Sequence, residues 1–385
     1  MTEPMADAPP EREDVEKVLA DFDARRDMLE AFCNKTRSLI EDALDYEGIR
    51  YQSVQARVKT KKKLKKKYGD PTKGYRKLDD ITDLAGLRVI TYYEDEVDQV
   101  AEIIKREFKI DPERSVDKRK TEPDRFGYHA LNYICCHAKE RSERVEYRRY
   151  AGVWCEIQIT SILRHAWSEI EHEWYDLKEA YPDEIKRRFY RLAGVFELAE
   201  SEFLDLKKKR SAYQKSMDVQ VEAKVADVPL DAVSIKSLIS QDEVVAELDR
   251  TVSERLGGTL SPDLDDRLVE VIARAASIAG MSTIDQVRTA LRQYKIAIIE
   301  YVGRNEEDPV TRRRKDPGAA QARGTSIFQL ALMLIGERND ESLLDAIEKV
   351  YGRKLSGETA RVLNARAANA KAVLSRHMPP TDTQR

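Results

Sequence analysis

What most limits the fold of this chain is a change in its hydrophobic period. Between residues 49 and 175, short runs of β-branched and aromatic residues alternate with helical stretches, while on either side apolar positions recur at helical spacing. Such a block belongs to an α/β or α+β domain, in which helices cover a sheet. The pattern predicts strands over 51–58, 86–93, 128–137 and 152–160, and helices over 61–68, 96–108 and 161–177. Before the block, Val15, Val18, Leu19, Phe22, Leu29 and Phe32 mark an amphipathic helix within 12–45, with a break in it left open. After it, Phe189, Leu192, Val195, Phe196, Leu198 and Phe203 mark a long helix over 185–215.

Farther on, a Val/Ala/Asp/Pro segment at 223–231 reads as a linker. Helical periods then return over 244–256, 268–279, 284–302, 327–337, 342–351 and 359–374. The expected organisation is a helical segment (1–48), an α+β domain closed by a long helix (49–222), a linker (223–230), an all-helical domain (231–378) and a flexible tail (379–385). With 36% charged residues, 41% hydrophobic ones and a net charge of −3, the chain reads as soluble and folded. It has no apolar run of membrane-spanning length, and its first residues are acidic and proline-rich, so we expect a cytoplasmic protein with no membrane partner. Cys33, Cys135, Cys136 and Cys155 form no CxxC pair and are expected to be buried free thiols.

Four stretches could carry chemistry. In RVKTKKKLKKK (57–67), a helix starting near Thr60 would place Lys59, Lys63 and Lys67 four apart on one ridge and Leu64 and Tyr68 on another. Such a run is often only a solvated face, but behind Arg57 it would also suit a polyphosphate or a nucleic-acid backbone. In DDITDLAGLRVITYY (79–93), Asp80 and Asp83 precede an apolar strand, where Asp83 can cap a turn or offer magnesium a hard oxygen ligand. In WCEIQITS (154–161), alternation puts Glu156 and Gln158 on the face opposite Cys155, Ile157 and Ile159, so two carboxylates from separate segments could converge. His165 and His172 are seven residues apart, two helical turns, too far to share one zinc, which leaves them packing or supporting roles. No Walker A loop, GxGxxG or HD dipeptide occurs. FGYHALNYICC (126–136) adds an aromatic corner leading into a strand, with polar His129 and Asn132 in an apolar setting.

In order along about 51–206, Arg57-x-Lys59 with Lys67, DITDLAGLRVI, FGYHALNYI, EIQITSILRHAWSEIEHEWYDLK and IKRRFYRLAGVFELAESEF resemble the synthetase domain of the RelA/SpoT family, the (p)ppGpp synthetases. The resemblance implies a nucleotidyltransferase-like mixed β-sheet flanked by helices, here followed by an all-helical C-terminal domain in a stand-alone, small alarmone synthetase-like member. It also implies transfer of the β,γ-pyrophosphate of ATP to the ribose 3′-hydroxyl of GDP or GTP. By the same resemblance Arg57, Lys59, Lys63, Lys67 and Arg88 would bind ATP, and Asp83 and Glu156 would be the catalytic carboxylates and Mg²⁺ ligands. Tyr128 would stack on the acceptor base, with His129, Asn132 and Gln158 beside it.

The chain departs from the family pattern at several positions, some of them where the acceptor would bind. Ala130 and Asn132 replace a serine and a histidine, Thr160 replaces an arginine, Lys63 stands for a typical serine, and Asp124 stands where many members have lysine. Acceptors other than GDP or GTP, namely adenosine nucleotides or the 3′ CCA end of tRNA, therefore remain open, as do a catalytically silent nucleotide sensor and self-association into a homo-oligomer.

Overall fold

The computed structural model describes residues 12–117, 119, 130–175, 181–303, 320–338, 340–351, 364–370 and 372. Its contacts divide the chain into two compact units, Met1–Lys208 and Lys209–Arg385. The division falls inside one long helix, whereas the sequence reading ended the first domain at residue 222.

The first unit is built on a mixed five-stranded sheet. Its strands are β1 (Tyr51–Val58), β2 (Ala85–Thr91), β3 (Phe108–Asp117), β4 (Leu131–His137) and β5 (Cys155–Ser161), in the order β1-β2-β5-β4-β3. β2 and β5 run parallel and the other neighbours antiparallel. The helices of this unit include α1 (Val15–Tyr46), α2 (Lys61–Gly69), α3 (Glu94–Glu107), α4 (Lys139–Ser142), α5 (Ile162–Tyr175) and α6 (Asp183–Glu222), the last of which runs on into the second unit. Alternation gives the sheet one apolar face, carrying Val54, Leu87, Val89, Ile157, Ile159 and Cys135, which joins Phe22, Phe32 and Ile40 of α1 and Val97, Val100 and Ile104 of α3 in one core. The opposite face is free to be polar, and it carries the candidate site.

α1 is a single helix, started by Asp14, whose carboxylate accepts from Glu16 N at 3.2 Å. α6 is tied to its neighbours by charge. Arg164 of α5 donates to Glu200 of α6 at 2.9 Å and to Glu94 of α3 at 2.5 Å, and Lys207 of α6 reaches Asp95 and Glu96 of α3 at 2.9 and 3.0 Å. Buried Trp167 packs between Phe189 and Phe196 of α6. His137 is enclosed by Phe32, Phe108, Tyr147 and Tyr150, with Nε2 3.0 Å from Thr36 Oγ1. Burial, aided by Arg141, lowers its pKa to about 4.

The second unit is helical. Its helices include α7 (Ala232–Gln241), α8 (Glu243–Arg255), α9 (Asp266–Ile278), α10 (Ile284–Gln293), α11 (Lys295–Gly303), α12 (Thr325–Arg338) and α13 (Glu341–Tyr351). Its core includes Ile235, Leu248, Ile272, Leu291 and Leu330, together with Met217 and Val221 from the end of α6. Buried Asp249 of α8 starts α12 by accepting from Gly324 N at 2.6 Å and Ser326 N at 2.8 Å. Gly324 has φ +83°, and a Cβ there would stand 2.5 Å from Ile239 Cδ1, so only glycine fits this entry.

Several expectations shift. The helix predicted over 284–302 is two helices, broken at Tyr294. β3 and α7 were not predicted. The strand expected from 128 is described only from Leu131, and Tyr128 and His129 lie outside the described residues. All four cysteines are buried and unpaired by disulfides. No described helix is long and apolar enough to cross a membrane.

Candidate active site

Strand register brings the polar residues together. Arg57 of β1 pairs with Gly86 of β2, and Gly86 pairs with Glu156 of β5, so the three form a row across the sheet. In the next row, Arg88 pairs with Gln158, and Gln158 with Asn132 of β4. Arg57, Lys59, Thr60, Lys63, Asp83, Gly86 and Glu156 line one cleft. Gly86, having no side chain, leaves its floor open between the guanidinium and the carboxylate.

The basic run divides between two roles. Thr60 caps α2, its hydroxyl accepting from Lys63 N at 3.3 Å, and Leu64 and Tyr68 bury the inner face of that helix. Lys59 therefore precedes the helix instead of extending its ridge. It meets Lys67 at Asp83, whose Oδ2 lies 2.8 Å from Lys59 Nζ and 2.7 Å from Lys67 Nζ. Lys63 lines the cleft, while Lys61, Lys62, Lys65 and Lys66 are exposed, the ordinary solvated face.

Asp83 lies in the turn just before β2. Burial pushes its pKa up, but the hydrogen bonds and charges of the two lysines outweigh burial and hold it below the usual carboxylate value. Lys67 is affected in the opposite sense, burial lowering its pKa and Asp83, with Tyr75, raising it to a net increase. The other carboxylate oxygen, Asp83 Oδ1, is buried with no hydrogen-bond partner among the described residues. An orphaned hard oxygen in a cleft that also contains Glu156 fits one divalent cation completed by phosphate or water oxygens. Among the described residues, no group of three or more His, Cys, Asp or Glu side chains is placed to hold a metal by itself.

Glu156 is held by two amides. Asn132 Nδ2 donates to its Oε1 and Gln158 Nε2 to its Oε2, each at 3.2 Å. Gln158 Oε1 in turn accepts from Arg88 Nε at 3.1 Å. Arg88 Nη1 reaches two residues one turn apart on α5, His165 Nδ1 at 3.0 Å and Glu169 Oε1 at 2.6 Å. Burial, then the charge of Arg88, lowers the His165 pKa despite Glu169; since a guanidinium only donates, Nδ1 is the acceptor in this contact.

Of the residues singled out from the sequence, Arg57, Lys59, Lys63, Asp83 and Glu156 thus share the cleft, and Lys67 joins them through Asp83. Arg88, Asn132 and Gln158 form the adjoining network, and Tyr128 and His129 fall outside the described residues. Sequence reasoning named Thr60 only as a helix start, and passed over Glu169 and the link from His165 to Arg88. The spacing of His165 and Glu169, four apart on one helix face, was the available signal.

Residues 56–180 match the model of the region found in RelA / SpoT proteins. Among solved structures, small alarmone synthetase 1 from Bacillus subtilis is 18% identical, with 49% of this chain and 99% of that one covered and a TM-score of 0.41. Small alarmone synthetase 2 from the same organism is 25% identical, with 51% and 100% covered and a TM-score of 0.38. A GTP pyrophosphokinase family protein from Streptococcus pneumoniae is 23% identical, with 51% and 95% covered and a TM-score of 0.40. No curated protein matches the chain.

Proposed function

We propose that this chain, which carries the RelA/SpoT region over residues 56–180, is an ATP-dependent pyrophosphotransferase that moves the β,γ-pyrophosphate of ATP to the 3′-hydroxyl of GDP or GTP. The observation that carries this reading is the convergence of Lys59 and Lys67 on Asp83 at a cleft also lined by Arg57, Lys63 and Glu156, inside that region. In-line transfer to an alcohol needs alignment and charge neutralisation more than a covalent nucleophile, and the cleft supplies cations and carboxylates in that proportion.

Arg57, Lys59, Lys63 and Lys67 take the triphosphate oxygens, and Arg88 extends this positive side. Asp83 and Glu156 would hold Mg²⁺, which supplies further neutralisation of phosphate charge when bound. Glu156, fixed by Asn132 and Gln158, keeps free lone pairs on both oxygens and takes the proton of the attacking hydroxyl. The 3′-oxygen bonds to the β-phosphorus, and AMP leaves with the α,β-bridging oxygen. The place of Tyr128 in the family pattern supports a nucleotide base as the acceptor, and guanosine is the family's acceptor.

The test offers GDP, GTP, ADP, ATP and deacylated tRNA separately to purified protein with γ-labelled ATP and Mg²⁺. Label on GDP or GTP is the expected result. Label only on tRNA or on adenosine nucleotides would keep the transfer chemistry and replace the acceptor, and label on none would overturn the proposal in favour of a silent nucleotide sensor.

A further inference from the structure

The polar chain ending at Glu156 has a fixed direction. A guanidinium can only donate and a carboxylate can only accept, so the Gln158 amide between Arg88 and Glu156 has one compatible orientation, oxygen toward Arg88 and nitrogen toward Glu156. The orientation of Arg88 is set in turn from α5. Its Nη1 carries two hydrogens, and His165 Nδ1 and Glu169 Oε1 accept from that one nitrogen. Without them, the guanidinium is free to turn away from Gln158, and the amide can then flip and present its oxygen to Glu156.

We infer that His165 and Glu169 are positioning residues for the transfer reaction, acting through Arg88 and Gln158 to hold the Glu156 carboxylate in its working orientation. The inference rests on the pyrophosphotransferase reading. Neither residue lines the cleft, and Glu169 is 60% exposed, so the pair acts on Glu156 from outside the cleft and not as part of its wall.

The experiment compares full-length His165→Ala, His165→Asn and Glu169→Gln with the parent protein by two readouts. An asparagine carbonyl can accept where Nδ1 did, so the second variant separates loss of the acceptor from loss of the ring. The first readout is the Gln158 side-chain amide signal in protein ¹⁵N-labelled at glutamine, identified by its disappearance in Gln158→Leu. It should shift or broaden in His165→Ala and return in His165→Asn. The second is transfer kinetics, where His165→Ala should lower kcat roughly tenfold with KM for ATP within about twofold, and His165→Asn should recover most of the loss. An unmoved amide signal in both His165→Ala and Glu169→Gln, or a moved signal with unchanged kcat, would overturn the inference. A parent protein that transfers label to no acceptor would instead remove the pyrophosphotransferase reading, and the amide signal would then decide the orienting chain on its own.

Discussion

Asp83 accepts two ammonium groups on one oxygen and leaves the other oxygen bare. Asp83→Asn should therefore reduce transfer at least about a hundredfold while leaving nucleotide binding without Mg²⁺ intact or tighter, because the lysines lose their internal partner. Paired titrations of ATP with and without Mg²⁺ would check this, and full transfer activity in a folded Asp83→Asn protein would remove Asp83 from its assigned role. His137 gives a second prediction at this scale. Its folded pKa of about 4 lies below the ordinary value of 6.5, so its contribution is fully present above pH 6.5 and is lost as pH falls toward 4. The shift corresponds to about 3 kcal/mol. His137→Phe should flatten the decline in denaturant stability between those pH values, and an unchanged slope would place the proton uptake elsewhere.

At the scale of elements, α3, α5 and α6 meet at Arg164, whose partner Glu200 is 5% exposed. Removing the cation strands a buried carboxylate. Arg164→Met should cost roughly 3 kcal/mol, read as a lower denaturant midpoint, whereas Arg164→Met with Glu200→Leu should recover much of it. The elements that the sequence revealed are those whose period survives burial: β1, β2, β4 and β5 alternate or run apolar, and Leu64 and Tyr68 betray the packed face of α2. β3 was hidden because FKIDPERSVD contains Pro112 and five charged residues, which an edge strand with irregular register tolerates. α7 was hidden because its serines dilute the apolar period, although buried Ser234 and Ser237 are satisfied by Asp231 and Asp218. The same distinction holds in the site. Asp83 and Glu156 stood out as acids beside apolar runs, but Lys59 and Lys67 converging on one oxygen, and His165 meeting Arg88, depend on register and helix placement that no local pattern contains.

For the whole molecule, the division inside α6 separates two sets of contacts. Every residue lining the cleft belongs to the first unit, as do Arg164, Glu200 and Lys207, while Met217 and Val221 are buried in the second core. A chain cut after Lys208 should therefore bind ATP within about threefold of the full protein and stay monodisperse, whereas a cut after Glu222 should expose Met217 and Val221 and aggregate. Size-exclusion chromatography with ATP titration distinguishes these outcomes, and loss of binding in the shorter chain would show that the helical unit supports the site.

The lysine pair on Asp83 also acts as an internal competitor for whatever enters the cleft. A bare anion can take the two ammonium groups only by evicting a partly buried carboxylate and leaving it without a counterion. A polyphosphate arriving with its own divalent cation would exchange partners instead, with Lys59 and Lys67 taking its oxygens and Asp83 its cation, so no charge would be left stranded. On the proposed function the resting site would discriminate by stoichiometry of charge: inorganic phosphate and metal-free nucleotide would face a cost that metal-loaded nucleotide would not.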